Sequence, residues 1–173
     1  ATHLVHAALK QVLGNQVQQK GSSLNANYLR FDFNHFAKLT DEELKTVEQI
    51  VNDKIFEAIP LNEQRAVDKE VAMSMGANAL FGEKYGDKVR VITFDSDYSV
   101  ELCGGTHVQN TSEIGLFKIT QETAVAAGVR RIEAITAQKA LQFLNDESET
   151  LSSVKSLLNN PKDTTKAVQT LLD

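Results

Sequence analysis

The chain has a single cysteine, Cys103, among its 173 residues. An intramolecular disulfide is therefore excluded, which fits a reducing, cytoplasmic setting and draws attention to the thiol itself. No apolar run approaches the roughly 20 residues that cross a bilayer, so no membrane partner is expected. The sequence does not open with a basic region, an apolar stretch and a cleavage site, so the signal-peptide pattern is missing. A basic excess is missing too. Lys and Arg number 18 against 23 Asp and Glu, a net charge of −5, which argues against a protein that grips nucleic acid over its whole surface. A domain that meets RNA at one tip, while other domains supply most of the affinity, can still be acidic overall. There is no internal repeat and no low-complexity segment.

What is present is ordinary for a globular domain with a real core: 42% hydrophobic and 24% charged residues. Thr2 to Leu13 carries apolar residues at Leu4, Val5, Ala8, Leu9, Val12 and Leu13, which is helical spacing, and Gly14 reads as its stop. Gly21-Ser22-Ser23 reads as a turn, and Tyr28 to Phe33 alternates as a strand. Thr40 and Glu43 predict a capping box and a helix running to about Ala58, ended by Pro60. Ile59 to Val67 is expected to be extended, Lys69 to about Ala79 a short helix, and Glu83 to Asp87 a turn. Val89 to Phe94 and Tyr98 to Leu102 read as a hairpin. Gly115 to Glu122 and Val129 to Ile135 read as two more strands around Ala126-Ala127-Gly128. Thr136 to about Leu158 is helical again, Asn159-Asn160-Pro161 breaks it, and Lys162 to Asp173 forms a short amphipathic tail. Helices segregated from hairpin-linked strands predict an α+β fold, an antiparallel sheet with helices packed on it and an outgoing C-terminal helix.

Four segments hold side chains suited to chemistry. In Cys103-Gly104-Gly105-Thr106-His107 a thiol and an imidazole flank two glycines just after a strand. That donor pair suits Zn²⁺, and the glycines are expected to take positive φ and turn both side chains toward one point. Read alone, the pair also suits a half-buried thiol beside a surface histidine. His3 and His6 share one helix face, either wetted or turned toward the same point as the Cys103 segment. His35 has no obvious partner. Arg130 and Arg131 lie at a strand start and point to opposite faces, so one is placed to meet a phosphate and the other a carboxylate, or both serve solubility. Gln18 to Ser23 reads as polar loop chemistry that can also line a pocket next to the histidine helix.

Several colinear blocks resemble the editing domain of alanyl-tRNA synthetases. They are Ala1 to Leu9, Gln19-Lys20-Gly21-Ser22 with Leu29 to Phe33, Gly76-Ala77 with Ala79 to Asp87, Glu101 to Val108, Gly115 to Ile119, and Gly128 to Ala134. Freestanding alanyl-tRNA editing proteins and the threonyl-tRNA synthetase editing domain are similar in the metal motifs but lack some of these blocks. The resemblance covers residues 1–145 and implies an editing domain there, with 146–173 a helical linker toward a further domain.

What the resemblance implies is a zinc-dependent deacylase. It would hydrolyse the ester joining Ser or Gly to tRNA(Ala), because a single binding site separates such similar side chains poorly. His3, Cys103 and His107 map onto zinc ligands. The family's remaining ligand, a histidine, would fall two residues ahead of Ala1. The expectation is therefore an incomplete zinc site and weak editing by this chain alone, rescued by the upstream residues, with His6 a candidate substitute ligand. Cys103 is expected to be a metal-bound thiolate and no nucleophile, since no His–carboxylate relay is evident beside it. Gln19 is expected in the pocket, discriminating substrate or positioning water, with Gly105 beside it among the catalytic positions. Thr106 and Arg130 are expected to meet the substrate or the tRNA end, Arg130 through a bidentate phosphate contact. The implied partners are the mischarged acceptor end of tRNA(Ala) and the other domains of a parent synthetase. No ATP-binding aminoacylation core is visible. Two other readings fit the same residues: a structural zinc module that contacts tRNA without catalysis, and a metal-free interaction domain.

Overall fold

The computed structural model describes residues 1–79 and 85–172. Among them the chain forms two antiparallel sheets and five α-helices, the α+β arrangement expected. The larger sheet has the order β1-β2-β7-β6 and the smaller the order β3-β4-β5. In the larger sheet the strands are β1 (Gln19–Leu24), β2 (Leu29–Asn34), β6 (Phe117–Ala126) and β7 (Val129–Thr136). In the smaller they are β3 (Asn62–Asp68), β4 (Lys88–Phe94) and β5 (Ser99–Leu102). The helices are α1 (Thr2–Leu13), α2 (Asp41–Phe56), α3 (Lys69–Ser74), α4 (Ala137–Leu157) and α5 (Thr164–Leu172).

The main core is built by alternation on β2 meeting helical periodicity on α1 and α2. Leu29, Phe31 and Phe33 of β2 are buried with Leu4, Val5, Ala8 and Leu9 of α1 and with Val47, Val51 and Ile55 of α2. The opposite face of β2 buries Asp32, whose register partner on β7 is Arg131. The Arg131 guanidinium donates to both Asp32 oxygens, at 2.6 and 2.8 Å, so this buried carboxylate is paired. A smaller core of Ala72, Ala77, Val89, Val91, Val100 and Leu102 lies around the second sheet.

The predicted ends of the helices hold where local chemistry sets them. Thr40 and Glu43 form the full capping box of α2. Gly14 ends α1 at φ 109°, a conformation costly for any other residue. Other expectations shift. Gln19 to Leu24, read as turn and loop, is an edge strand paired to β2. Helix α3 stops at Ser74 instead of near Ala79, with Gly76 at φ 80° just beyond. The strand expected at Gly115 to Glu122 starts two residues later, at Phe117, behind a 3-10 turn over Thr111–Ile114, and runs on to Ala126. The turn expected at Glu83 to Asp87 lies in part outside the described residues. Helix α4 runs unbroken past residue 145, and Ala140 is its one buried residue, so it leaves the core within its first turn.

Candidate metal centre

Helix α1 enters the molecule beside the C-terminal end of β5, and this junction gathers the chemistry. Tyr98 donates its hydroxyl to the Leu4 carbonyl at 2.7 Å, fixing α1 against the β4–β5 hairpin. Lys10 donates to Asn78 Oδ1 at 2.5 Å, while Asn78 pairs through its backbone with Val100 and Leu102 along the edge of β5. Held from both ends, α1 presents His3 and His6 to β5.

His3, Cys103 and His107 bring one ligand atom each within 4.8 Å of one another. The Nε2 atoms of His3 and His107 face each other at 2.9 Å, and the rings stack with centroids 5.0 Å apart. Two such nitrogens can share one proton or jointly face a cation, but cannot both carry hydrogens. His107 Nδ1 is buried and has no hydrogen-bond partner. Two imidazoles and one thiol are a donor set that zinc accepts, and three protein ligands are the pattern of a catalytic site with a further position open. The residues fit a zinc ion.

Glu101, buried at 3% exposure, lies behind the histidines. Its Oε2 accepts from His3 Nδ1 at 2.6 Å and its Oε1 from His6 Nδ1 at 2.9 Å. Burial opposes its charge, but the two imidazoles outweigh burial and hold the carboxyl at about 2. Burial likewise opposes the His3 charge, and interaction with Cys103 and Glu101 overcomes it, lifting His3 to about 9. His3 in turn draws the Cys103 thiol below its ordinary value. His107 is pushed down to about 4 by burial and by the charge on His3. The cluster thus favours a thiolate and a neutral His107, the protonation states a metal ligand needs, while His3 holds a proton that a metal would displace.

His6 does not join the ligand cluster. Its Nδ1 is committed to Glu101 and its Nε2 faces the Val17 carbonyl at 3.4 Å. A substitute-ligand role is not what the structure assigns it, because both ring nitrogens point away from the cluster. The glycines also differ from expectation. Neither Gly104 nor Gly105 has positive φ. The turn is shaped by Arg90 of β4, whose Nη1 donates to the Cys103 carbonyl at 3.2 Å and to the Gly105 carbonyl. Arg90 is itself held by Glu63 of β3 at 2.8 Å.

A cavity of about 350 Å³ opens at the cluster. Its wall includes His3, Cys103 and His107 together with Gln19 and Ser22 of β1 and Gly105 and Thr106. Leu4, Leu24, Phe94, Val108 and Ile114 supply apolar surface. Gln19 Nε2 donates to Ser22 Oγ at 3.0 Å, so β1 presents an ordered amide to the cavity. Arg130 is not among the lining residues. Its guanidinium fork is filled by Glu122, at 2.5 and 2.6 Å. Both arginines of the pair therefore meet carboxylates, and the bidentate geometry expected to take a phosphate is occupied within the fold. His35 lies tilted against Phe33, centroids 6.4 Å apart, and does not line this cavity.

Sequence reasoning missed Glu101 and Arg90 as parts of the site. Glu101 had a readable signal: it stands on β5 two residues before Cys103. Arg90 had none, because its role depends on the pairing of β4 with β5.

Comparison with known proteins now adds to this geometry. Residues 89–133 match the family described as the threonyl and alanyl tRNA synthetase second additional domain. This segment includes β5 and the whole Cys103–His107 turn. Over its full length the chain is 61% identical to the alanine–tRNA ligase of Cytophaga hutchinsonii, covering 20% of that protein. It is 53% identical over 171 residues to that of Christiangramia forsetii and 54% identical over 175 residues to that of Bacillus pumilus, covering 19% of each. The chain is thus similar along its whole length to a segment of alanine–tRNA ligases, and its residues 89–133 match the second additional domain. It spans about a fifth of the length of those relatives. No described helix is long and apolar enough to cross a membrane.

Proposed function

We propose that this chain is the editing part of an alanine–tRNA ligase, a zinc-dependent esterase that frees Ser or Gly from mischarged tRNA(Ala). The observation that carries the reading is the convergence of His3, Cys103 and His107 in the lining of a cavity that Gln19 also lines. The matched family and the relatives' name supply the tRNA and the amino acid. We assign 1–145 to the editing domain and 146–173 to a linker, since α4 has left the core by then.

The reaction is hydrolysis. Water adds to the ester carbonyl carbon, the bond from that carbon to the ribose oxygen breaks, and the ribose hydroxyl takes up a proton. When bound, zinc supplies Lewis acidity or orients the amino acid. Gln19, ordered by Ser22, contacts the substrate amide-fashion, positioning the water or the amino acid. Thr106 offers a hydroxyl to a small polar side chain, and the Gly105 backbone borders the reacting group. The apolar wall from Leu24 to Ile114 excludes bulk water from the ester. The tRNA acceptor end and the remaining domains of a parent synthetase are the partners, in the cytoplasm.

The test is release of labelled serine from Ser-tRNA(Ala) against alanine from Ala-tRNA(Ala), with zinc present. Faster release of serine supports the reading. Zinc and tRNA binding with equal, background release of both would instead establish a structural module.

A further inference from the structure

We infer that Glu101, braced by His6, is a positioning residue that fixes the ring of His3 with Nε2 bare and turned toward His107. The inference rests on the metal-centre reading above and extends it to residues outside the ligand set.

The geometry allows little freedom. A carboxylate has acceptors only, so the nitrogen of His3 that lies 2.6 Å from Glu101 must be the one that bears hydrogen. That nitrogen is Nδ1, so in the neutral ring it is Nε2 whose lone pair points into the cluster. The other carboxylate oxygen is occupied by His6 Nδ1 at 2.9 Å, so the carboxylate cannot rotate without breaking a second bond. His6 sits one helical turn beyond His3, is 5% exposed, and packs against Phe31 of the main core with centroids 5.6 Å apart. Its ring is thus an extension of the core into the site. The chain of contact runs from Phe31 through His6 and Glu101 to His3, every member buried or nearly so.

Glu101 also stands on β5 two residues before Cys103, which follows the strand directly. The end of β5 therefore leads straight into one candidate ligand and orients another through its carboxylate. Carboxylates behind metal-bound histidines fix the tautomer and raise ligand basicity, and their loss costs about tenfold to hundredfold in metal affinity.

The pairing makes different demands on two variants. In Glu101→Gln the amide oxygen can still accept from His3 Nδ1, while the amide hydrogens face His6, which can adapt by moving its hydrogen to Nε2 toward the Val17 carbonyl. Geometry is kept and charge is lost. In Glu101→Ala both are lost.

Two measurements on the full chain test this. The first is the tautomer of His3 by long-range ¹H–¹⁵N NMR of the metal-free protein, recorded above pH 9, where the ring is neutral. A hydrogen on Nδ1 in the wild type, and a mixture of tautomers in Glu101→Ala, is the expected result. A hydrogen on Nε2 in the wild type overturns the inference whether or not zinc binds. The second is zinc affinity by competition with a chromophoric chelator. Glu101→Ala is expected to bind about tenfold to hundredfold more weakly, with Glu101→Gln between it and the wild type. Equal affinity in all three overturns the inference. If the wild type itself binds no zinc, the metal reading fails, and the tautomer measurement still decides the role of Glu101. Should Glu101→Ala fail to fold, Glu101→Gln and the wild-type spectrum decide it.

Discussion

His3 and His107 turn their Nε2 atoms toward each other across 2.9 Å, though 104 residues separate them in the chain. That contact closes the helix at the start of the chain onto the turn after β5, and the expected behaviour of the protein follows from it.

Removing any one of the three donors should weaken zinc binding without unfolding the domain. His3→Ala, Cys103→Ala and His107→Ala are expected to lose at least about tenfold in zinc affinity, with far-UV circular dichroism unchanged. A variant that binds zinc as the wild type does would remove its residue from the ligand set.

Gln19 should act on the substrate and leave the metal alone. Gln19→Ala is expected to slow serine release about tenfold, equivalent to about 1.4 kcal/mol of transition-state stabilisation, at unchanged zinc content. Ser22→Ala, which frees the Gln19 amide without deleting it, should give a smaller loss. Zinc lost together with activity would count against this division of roles.

Arg90 should matter to the turn more than to the core. Arg90→Ala deletes the donor shared by the Cys103 and Gly105 carbonyls. A destabilisation of about 1–3 kcal/mol and weaker zinc binding are expected, measured by urea unfolding and chelator competition. An undiminished zinc affinity would show that the turn holds its shape without Arg90.

The partner of Arg90 gives a pH dependence. Hydrogen bonds from Arg90 and Arg65 hold the Glu63 carboxyl at about 2, against an ordinary value of 4.5. A carboxyl depressed on folding adds stability that is fully present above 4.5 and is lost as pH falls toward 2. The stability difference between wild type and Glu63→Gln should therefore be constant near neutrality and shrink across that acid window. A difference that grows on acidification contradicts the assignment.

Phe31 ties the core to the site. It is fully buried, so Phe31→Ala should cost about 3–5 kcal/mol in urea unfolding. Its ring also supports His6, so zinc affinity should fall along with stability.

Much of this was legible in the sequence wherever a local rule decides. Apolar spacing placed α1, the Thr40–Glu43 pair placed the start of α2, and alternation placed β2 and the β4–β5 hairpin. The convergence of His3, Cys103 and His107 was legible only through resemblance, since two short segments distant in the chain say nothing alone about convergence. Polar Gln19 to Leu24 has no strand periodicity of its own, and its pairing with β2 makes it an edge strand. Arg130 misled because a free guanidinium and one taken by Glu122 read alike in sequence. Glu122 lies eight residues away, across the β6–β7 hairpin. The Gly104–Gly105 turn misled for a related reason: Arg90, reached only through strand pairing, does the shaping that glycine flexibility was expected to do.

The central claim is that the cluster in the cavity lining is the machinery for clearing mischarged tRNA. Serine release from Ser-tRNA(Ala), measured with zinc for the wild type and Cys103→Ala side by side, tests it most directly. The account predicts release well above the uncatalysed rate for the wild type and a loss of about tenfold or more in the variant. Equal rates for the two proteins, or no release by a wild type that holds zinc, would contradict it.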